Sequence, residues 1–227
     1  MARRLRTAPA AASLLVALVA ACSSSSASSF PTSSLPSGPS SSSSPPTAPT
    51  ARASASDQLL ALSDLPTGFT QRPDQQDSPS TGKGPCNEPV PIVEPLLADH
   101  ARREFQSDAT RILLIDGVRV FSPPDAAHIF MVTMGGAAHA CSEYTDPQGE
   151  RTTVAAIDLG IAGDESLAFR TATVGSPRAM SIEFIRVGAT VAVVEVVADA
   201  ASPDADPTLR AAATAQLAAL QAAATAT

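Results

Sequence analysis

Between residues 151 and 198 apolar and polar side chains alternate with a period near two, the pattern of β-strands. The segments run at about Thr152 to Leu159, Ser166 to Thr173, Ala179 to Val187 and Thr190 to Ala198. Gly188-Ala189 is the expected two-residue turn between the last two, pairing Val187 with Thr190. Val191, Val193 and Val197 then face one way, and Ala192, Val194, Val196 and Ala198 the other. A strand apolar on both faces belongs in the middle of a sheet covered on both sides. Upstream, Thr110 to Phe121 is strand material, with Gly117 expected to mark a bulge or turn.

Elsewhere the period is helical. Phe130, Met134 and Ala138 recur every fourth residue and predict a helix ending near Ala140, with Ser122 as its cap and Pro123 at its first position. A second helix follows Asp206-Pro207 and carries Leu209, Ala213, Leu217 and Leu220 on one stripe. Shorter helices are expected at Asp57 to Leu62, capped by Asp57, and around Pro91 to Asp99; Gln71 to Pro85 reads as a loop. The order of elements predicts an α+β domain: a mostly antiparallel sheet of about five to six strands with flanking helices, in one unit spanning residues 57–227.

The first 56 residues are of another kind. Arg3, Arg4 and Arg6 precede an uncharged run from Ala8 to Ala21, too short to span a bilayer and of the right length for a signal peptide, residues 1–21. The run ends in Val19-Ala20-Ala21-Cys22, which resembles the lipobox of bacterial lipoproteins. The resemblance implies diacylglycerol on the Cys22 thiol, cleavage before Cys22, and a chain held on the extracytoplasmic face of a cell membrane. Residues 22–56 are almost all Ser, Pro, Thr and Ala, a composition that cannot bury enough surface to offset chain entropy. They are expected to be a disordered tether with a root-mean-square reach on the order of 30 Å.

Charge narrows the partners. All 22 acidic residues lie from Asp57 onward, and four of the 15 basic ones precede it, which leaves 11 basic residues and a net charge of −11. Nucleic acid, which needs a basic face, is excluded as an expected partner. Beyond Cys22 the chain has two cysteines, Cys86 and Cys141. In a compartment that permits disulfides they are expected to form one bridge, stabilising the fold by roughly 4 kcal/mol. The alternative is two separate thiols. A CxxC redox motif is absent.

Catalytic signatures are also absent. There is no G-x-S-x-G elbow and no H-E-x-x-H, and Gly82-Lys83-Gly84 lacks the spacing of a phosphate loop. His128 and His139 sit eleven residues apart on one helix face, hence roughly 16 Å apart, too far to share a metal ion. Asp164-Glu165 and the group Glu143, Asp146 and Glu150 match no calcium-loop spacing. No catalytic residue, metal site or cofactor is assigned. The feature with chemical content is charge on the sheet. If Val187 pairs with Thr190, then Met180, Ile182, Phe184, Arg186, Val191, Val193, Glu195 and Val197 share one face. Arg186 and Glu195 interrupt that apolar surface, and Arg170 on the neighbouring strand is expected to join them. Such charges are either paired, exposed at a rim, or aimed into a wet cavity where they orient a ligand.

Several short segments resemble the secreted or lipid-anchored sensor-like domains of actinobacteria, typified by the extracellular domain of PknH-like receptor kinases. They are Leu59-Leu60 through Leu65-Pro66-Thr67-Gly68-Phe69, Cys86, and Val118-Arg119-Val120-Phe121 ahead of a helix ending at Cys141. Gly163-Asp164-Glu165-Ser166 and Ile185-Arg186-Val187-Gly188 complete the set. The resemblance implies an antiparallel sheet flanked by helices, a cleft, and no established catalytic activity. It departs from the kinase type in having one candidate bridge where that domain carries two. Envelope lipoproteins with a PsbP-like α/β fold share the length and layout. Three functions follow as expectations: a non-enzymatic module holding a small or lipid-like ligand in a cleft, a protein-interaction subunit of an envelope complex, and a hydrolase with an unfamiliar site.

Overall fold

The computed structural model describes residues 53–73, 84–87, 96–146 and 148–226. Cys22, the expected signal segment and most of the expected tether lie outside these residues. The described chain forms one antiparallel sheet of eight strands in the order β1-β2-β3-β8-β7-β6-β5-β4. The strands are β1 Thr70–Gln71, β2 Leu97–Ser107, β3 Ile112–Phe121, β4 Glu143–Thr145, β5 Arg151–Ile157, β6 Glu165–Thr173, β7 Arg178–Val187 and β8 Thr190–Asp199. Helix α1, Asp125–Ala140, packs on one face and α2, Ala205–Thr225, on the other.

The α+β class stands, and the strand count rises from the expected five or six to eight. Strands β1 and β4 have two and three residues, too short for a period to show in the sequence. Strand β2 was hidden for a different reason. Its outward row (His100, Arg102, Glu104, Gln106) is polar, and its inward row contains Arg103 between Ala101 and Phe105, so neither face alternates cleanly. The helix expected around Pro91 to Asp99 is corrected in part: Leu97 to Asp99 belong to β2, and 91–95 lie outside the described residues.

Gly117 is not a bulge or turn, because β3 pairs without interruption with β2 and β8 through it; the register shift falls at Leu97/Asp99 instead. Helix α1 starts at Asp125, two residues later than a Pro123 start would place it. Ser122 is not the cap: the residue before the helix is Pro124 and no side-chain cap hydrogen bond is made, while the Ser122 N–H donates to the Leu96 carbonyl at 2.8 Å and prolongs the strand. Asp57 is likewise not a cap: the expected Asp57–Leu62 helix is two short turns, Ser56–Gln58 and Leu62–Asp64, the first with Ala55 at its cap position, and the Asp57 carboxylate accepts the Ser54 N–H and O–H. Residues 53–56, expected in the tether, therefore already belong to the folded body, where Ala55 is fully buried.

Strand β8 is central, between β3 and β7, and apolar on both sides for the expected reason. Val191 and Val193 meet Phe121, Phe130, Phe169 and Phe184 under α1. Val194 and Val196 meet Phe105, Leu114 and Leu209 under α2, while Ala192 joins Val118, Ile185 and Leu220. Gly188 closes the β7–β8 hairpin at φ 60°, a conformation that favours glycine. The Cys86–Cys141 disulfide ties the end of α1 to the Pro85–Asn87 turn.

Candidate functional site

Register decides which charges meet. Arg186 pairs with Val191 and Ile182 with Glu195, so Arg186 and Glu195 do share the α1-side face, two rows apart. Arg170 does not join them. It pairs with Ser181, whose side chain is on the α2 side, and its guanidinium donates to Ser181 Oγ at 3.0 Å and to the Asp206 carboxylate at the start of α2. A one-residue offset puts a side chain on the opposite face, and Arg170 is one residue out of phase with the Arg186 row.

Arg186 is engaged within the fold. Its guanidinium donates to Glu165 at 2.8 and 3.0 Å, to Asp164 at 3.3 Å and to the Gly188 carbonyl at 3.0 Å. Asp164 in turn accepts the Gly188 N–H at 2.7 Å, and Glu165 also meets His128 on α1. Gly163 is pressed so closely on β7 that a Cβ there would lie 2.5 Å from the Arg186 carbonyl oxygen. The segments Gly163-Asp164-Glu165 and Arg186-Val187-Gly188 are thus two halves of one clamp at the end of the β6–β7–β8 sheet. The carboxylates Asp164 and Glu165, considered above for calcium, are spent in it. Asp146 is spent similarly, its Oδ1 accepting the Gln148 and Glu150 N–H groups in the β4–β5 turn.

Glu195 is different. It makes no hydrogen bond or ion pair with a described residue, and it is shielded enough that burial pushes its carboxyl pKa up, opposed by Arg102 and Arg119 and reinforced by Glu104. Helix α1 has its main sheet contacts on β3, β5, β6 and β7, short of β2. Beyond it the α1-side face carries His100, Arg102, Glu104 and Gln106 from β2, then Arg119, Gly117, Ile115 and Leu113 from β3. Arg102 lies opposite Gly117, which lies opposite Val193; Glu104 lies opposite Ile115, which lies opposite Glu195. Glu104 is buried and accepts from Arg72 at 2.9 Å and Arg102 at 2.8 Å. Arg119 lies over the Phe130 ring, 5.7 Å from its centroid, at the inner wall.

Gly117 leaves one position of this face without a side chain. Among the described residues, a Cβ added there would meet nothing nearer than the carbonyl oxygens of Ala101 and Val193, at 3.8 and 3.9 Å. A strand-interior glycine removes a side chain from the pleated surface and marks a place where another group can approach the backbone. On this face the neighbours of Gly117 are Arg102, Val193, Ile115 and Arg119, with Glu195 one row further on. The sequence placed Glu195 on the right face but did not assemble Arg102, Glu104 and Arg119 around it, since β2 was not visible as a strand.

The α2 side holds a contrasting carboxylate. Asp116 is fully buried on β3 and accepts the Leu60 N–H at 2.7 Å through Oδ2; Arg103 donates to the Leu60 carbonyl at 2.6 Å. Ala55 N–H is held by Asp99 at 2.7 Å, and Gln216 of α2 donates to the Gln58 carbonyl at 2.8 Å. Side chains of the sheet and α2 thus strap down residues 55–60. Burial raises the Asp116 pKa to about 7, against the Leu60 hydrogen bond and the Arg103 charge. Glu183, also on this face, rises to about 7 through burial and the nearby Asp158. A cavity of about 230 Å³ opens where the strap meets the β7–β8 turn and the end of α2, lined by Gln58, Gly188, Thr190 and Leu220 among others.

No family model matches the chain, and no curated protein does. Among solved structures it is similar to the extracellular domain of PknH from Mycobacterium tuberculosis, at 11% identity and a TM-score of 0.53, over 74% of this chain and 98% of that one. At that identity the likeness is one of fold. Among the described residues no helix is long and apolar enough to cross a membrane.

Proposed function

We propose that the chain is an extracytoplasmic lipoprotein, anchored through Cys22, whose domain is a non-enzymatic binding module. It holds a small or lipid-like ligand in the cleft on the α1-side face, floored by Gly117 and bordered by Glu195, Arg102 and Arg119. The observation that carries this reading is Glu195: a shielded carboxyl that makes no hydrogen bond or ion pair with a described residue, on the same face as Gly117, a position without a side chain. A protein that shields a carboxyl without pairing it forgoes stability, which is reasonable where a ligand completes the set. The likeness to a receptor kinase's extracellular domain is consistent with binding outside the cell. Arg186 and Arg170, considered as ligand contacts from the sequence, have structural work in their ion pairs, so Glu195 keeps the role.

Native mass spectrometry of the full chain, recovered from an actinobacterial envelope, tests this. The expected result is added mass that organic extraction removes and that Gly117→Leu abolishes. A protein at its own covalent mass in both forms overturns the cleft. A second reading, docking on an envelope protein, is favoured by Ile129 and Val132, exposed close together on α1. In-cell crosslinking from position 132 that captures one specific protein supports it; background capture alone counts against it.

A further inference from the structure

We propose that residues 53–60 form a detachable strap with two arrangements. Fastened, Arg103 and Asp116 hold the two polar groups of Leu60. Released, they pair with each other, and the β2–β3 half of the α2-side face is uncovered. The inference concerns the face opposite the cleft and does not depend on that reading. The strap is held to the body by side chains. Asp99 accepts the Ala55 N–H, Asp116 accepts the Leu60 N–H, Arg103 donates to the Leu60 carbonyl and Gln216 to the Gln58 carbonyl. Its backbone joins no strand of the sheet, and the bonds from Asp57 N–H to Ser54 and from Gln58 N–H to Ala55 are internal to it. It can therefore leave without breaking a ladder. What it covers is apolar: Leu60 lies with Phe105 and Leu114, and Leu59 with Val118, whereas α2 has its main sheet contacts on β7 and β8. Among the described residues the strap comes first in the chain, so a pull from the preceding segment reaches it before any strand.

The fastening is incomplete at one point. Arg103 and Asp116 are directly opposite each other in the β2–β3 ladder, where side chains on one face lie within reach of each other. Yet Arg103 Nε and Asp116 Oδ1 are both buried without a hydrogen bond. Each unmade bond costs free energy in the fastened form. An arginine and a carboxylate at that spacing form a two-pronged pair when nothing holds them apart. Such a pair satisfies both atoms and withdraws Oδ2 from the Leu60 N–H. The strap thus competes with an ion pair built into the sheet beneath it. Its release does not leave two lone charges behind, which removes the usual penalty for breaking a buried polar contact.

The test is native-state hydrogen exchange of the full chain, read by mass spectrometry. Amides of residues 55–60 are expected to exchange at least about tenfold faster than those of β8, through an opening that leaves β8 protected. Strap and β8 exchanging at one common rate overturns the detachable strap. The second pairing is tested by a double-mutant cycle on the strap-opening constant, with Arg103→Gln, Asp116→Asn and the two combined. If the released form holds the ion pair, the product of the wild-type and double-variant constants exceeds the product of the two single-variant constants by about fivefold. A ratio of one or below overturns the pairing, because groups that only fasten the strap give no such excess. Should a variant fail to fold, the wild type decides by its response to salt. Screening weakens an ion pair that release has brought to the surface, so strap opening is expected to fall about twofold as salt is raised to about 1 M. Opening that is unchanged or faster in high salt overturns the pairing.

Discussion

Asp116 and Glu195 sit on adjacent strands of one sheet, point to opposite faces, and both have pKa values raised by burial. Their surroundings differ in one respect. Asp116 receives the Leu60 N–H and lies beside Arg103, which holds the Leu60 carbonyl, so the two side chains grip both polar groups of one backbone residue. Glu195 receives nothing from the described residues. Buried carboxylates are tolerated when something compensates them. On the α2 side the compensation is internal but partial: Asp116 Oδ2 accepts the Leu60 N–H and Arg103 is nearby, while Oδ1 is buried with no hydrogen bond to a described residue. On the α1 side Glu195 has the charges of Arg102 and Arg119 nearby but no hydrogen bond from a described residue, and α1 makes its main contacts short of β2. On the proposed reading, the difference separates a carboxylate that builds the fold from one that serves binding.

The largest effect expected from this comparison is on the α2 side. Leu60→Ala should lower unfolding free energy by about 2–5 kcal/mol, because Leu60 is buried between strap and sheet and truncation leaves a cavity. Chemical denaturation measures it, and a loss below about 1 kcal/mol would mean that the strap is not an integral part of the core. Asp116→Ala should lose about 1–3 kcal/mol, since the Leu60 N–H is left buried without an acceptor. Glu195→Gln, by contrast, should leave denaturant stability unchanged or slightly raised, because the carboxyl is shielded and makes no hydrogen bond with a described residue. If Glu195→Gln destabilises as much as Asp116→Ala, the distinction between the two carboxyls fails.

A smaller effect is the response to pH. The Asp116 pKa moves from 3.8 to about 7 and that of Glu183 from 4.5 to about 7, so the folded state binds more protons than the unfolded state across this interval. Stability contributed by these groups is fully present below about pH 4 and is lost as pH rises through about 7. Within the window each carboxyl lowers stability by up to about 1.4 kcal/mol per pH unit. Melting temperature should therefore fall between about pH 5 and pH 7.5, and Asp116→Asn should flatten the slope. A wild-type melting temperature that rises across the same interval would show that the two carboxyls do not govern the balance. Gly117→Ala is also expected to change stability little, since its added methyl meets only ordinary contacts with described residues, so any loss of binding in it is not a loss of fold.

Legibility followed the physics of each face. Strands β5 to β8 were readable because their rows alternate, and β8 could be placed centrally because Val191 to Ala198 are apolar on both sides. Strand β2 was unreadable because Arg103 is turned inward to hold Leu60, a function that its neighbours in sequence do not disclose. The loss of β2 also hid the site: Glu195 was singled out on its own strand, but Arg102 and Glu104 reach it from a strand two positions away in the sheet. Arg170 was grouped with Arg186 because the β6–β7 register depends on the loop Val174-Gly175-Ser176-Pro177, whose geometry is not set by a simple two-residue turn. The motifs Gly163-Asp164-Glu165 and Arg186-Val187-Gly188 were visible as separate segments. Their partnership as a clamp became apparent only once the fold brought them together.

The most direct test of the account is to map binding onto the two faces at once. Backbone amide shifts of the isotope-labelled chain would be followed by NMR as lipid extracted from an actinobacterial envelope is added. The account predicts shifts confined to Ile115, Gly117, Val193 and Glu195 and their β2 neighbours, with Leu60, Asp116 and Ala213 unmoved. Shifts centred on the strap and α2, or none on either face, would contradict it.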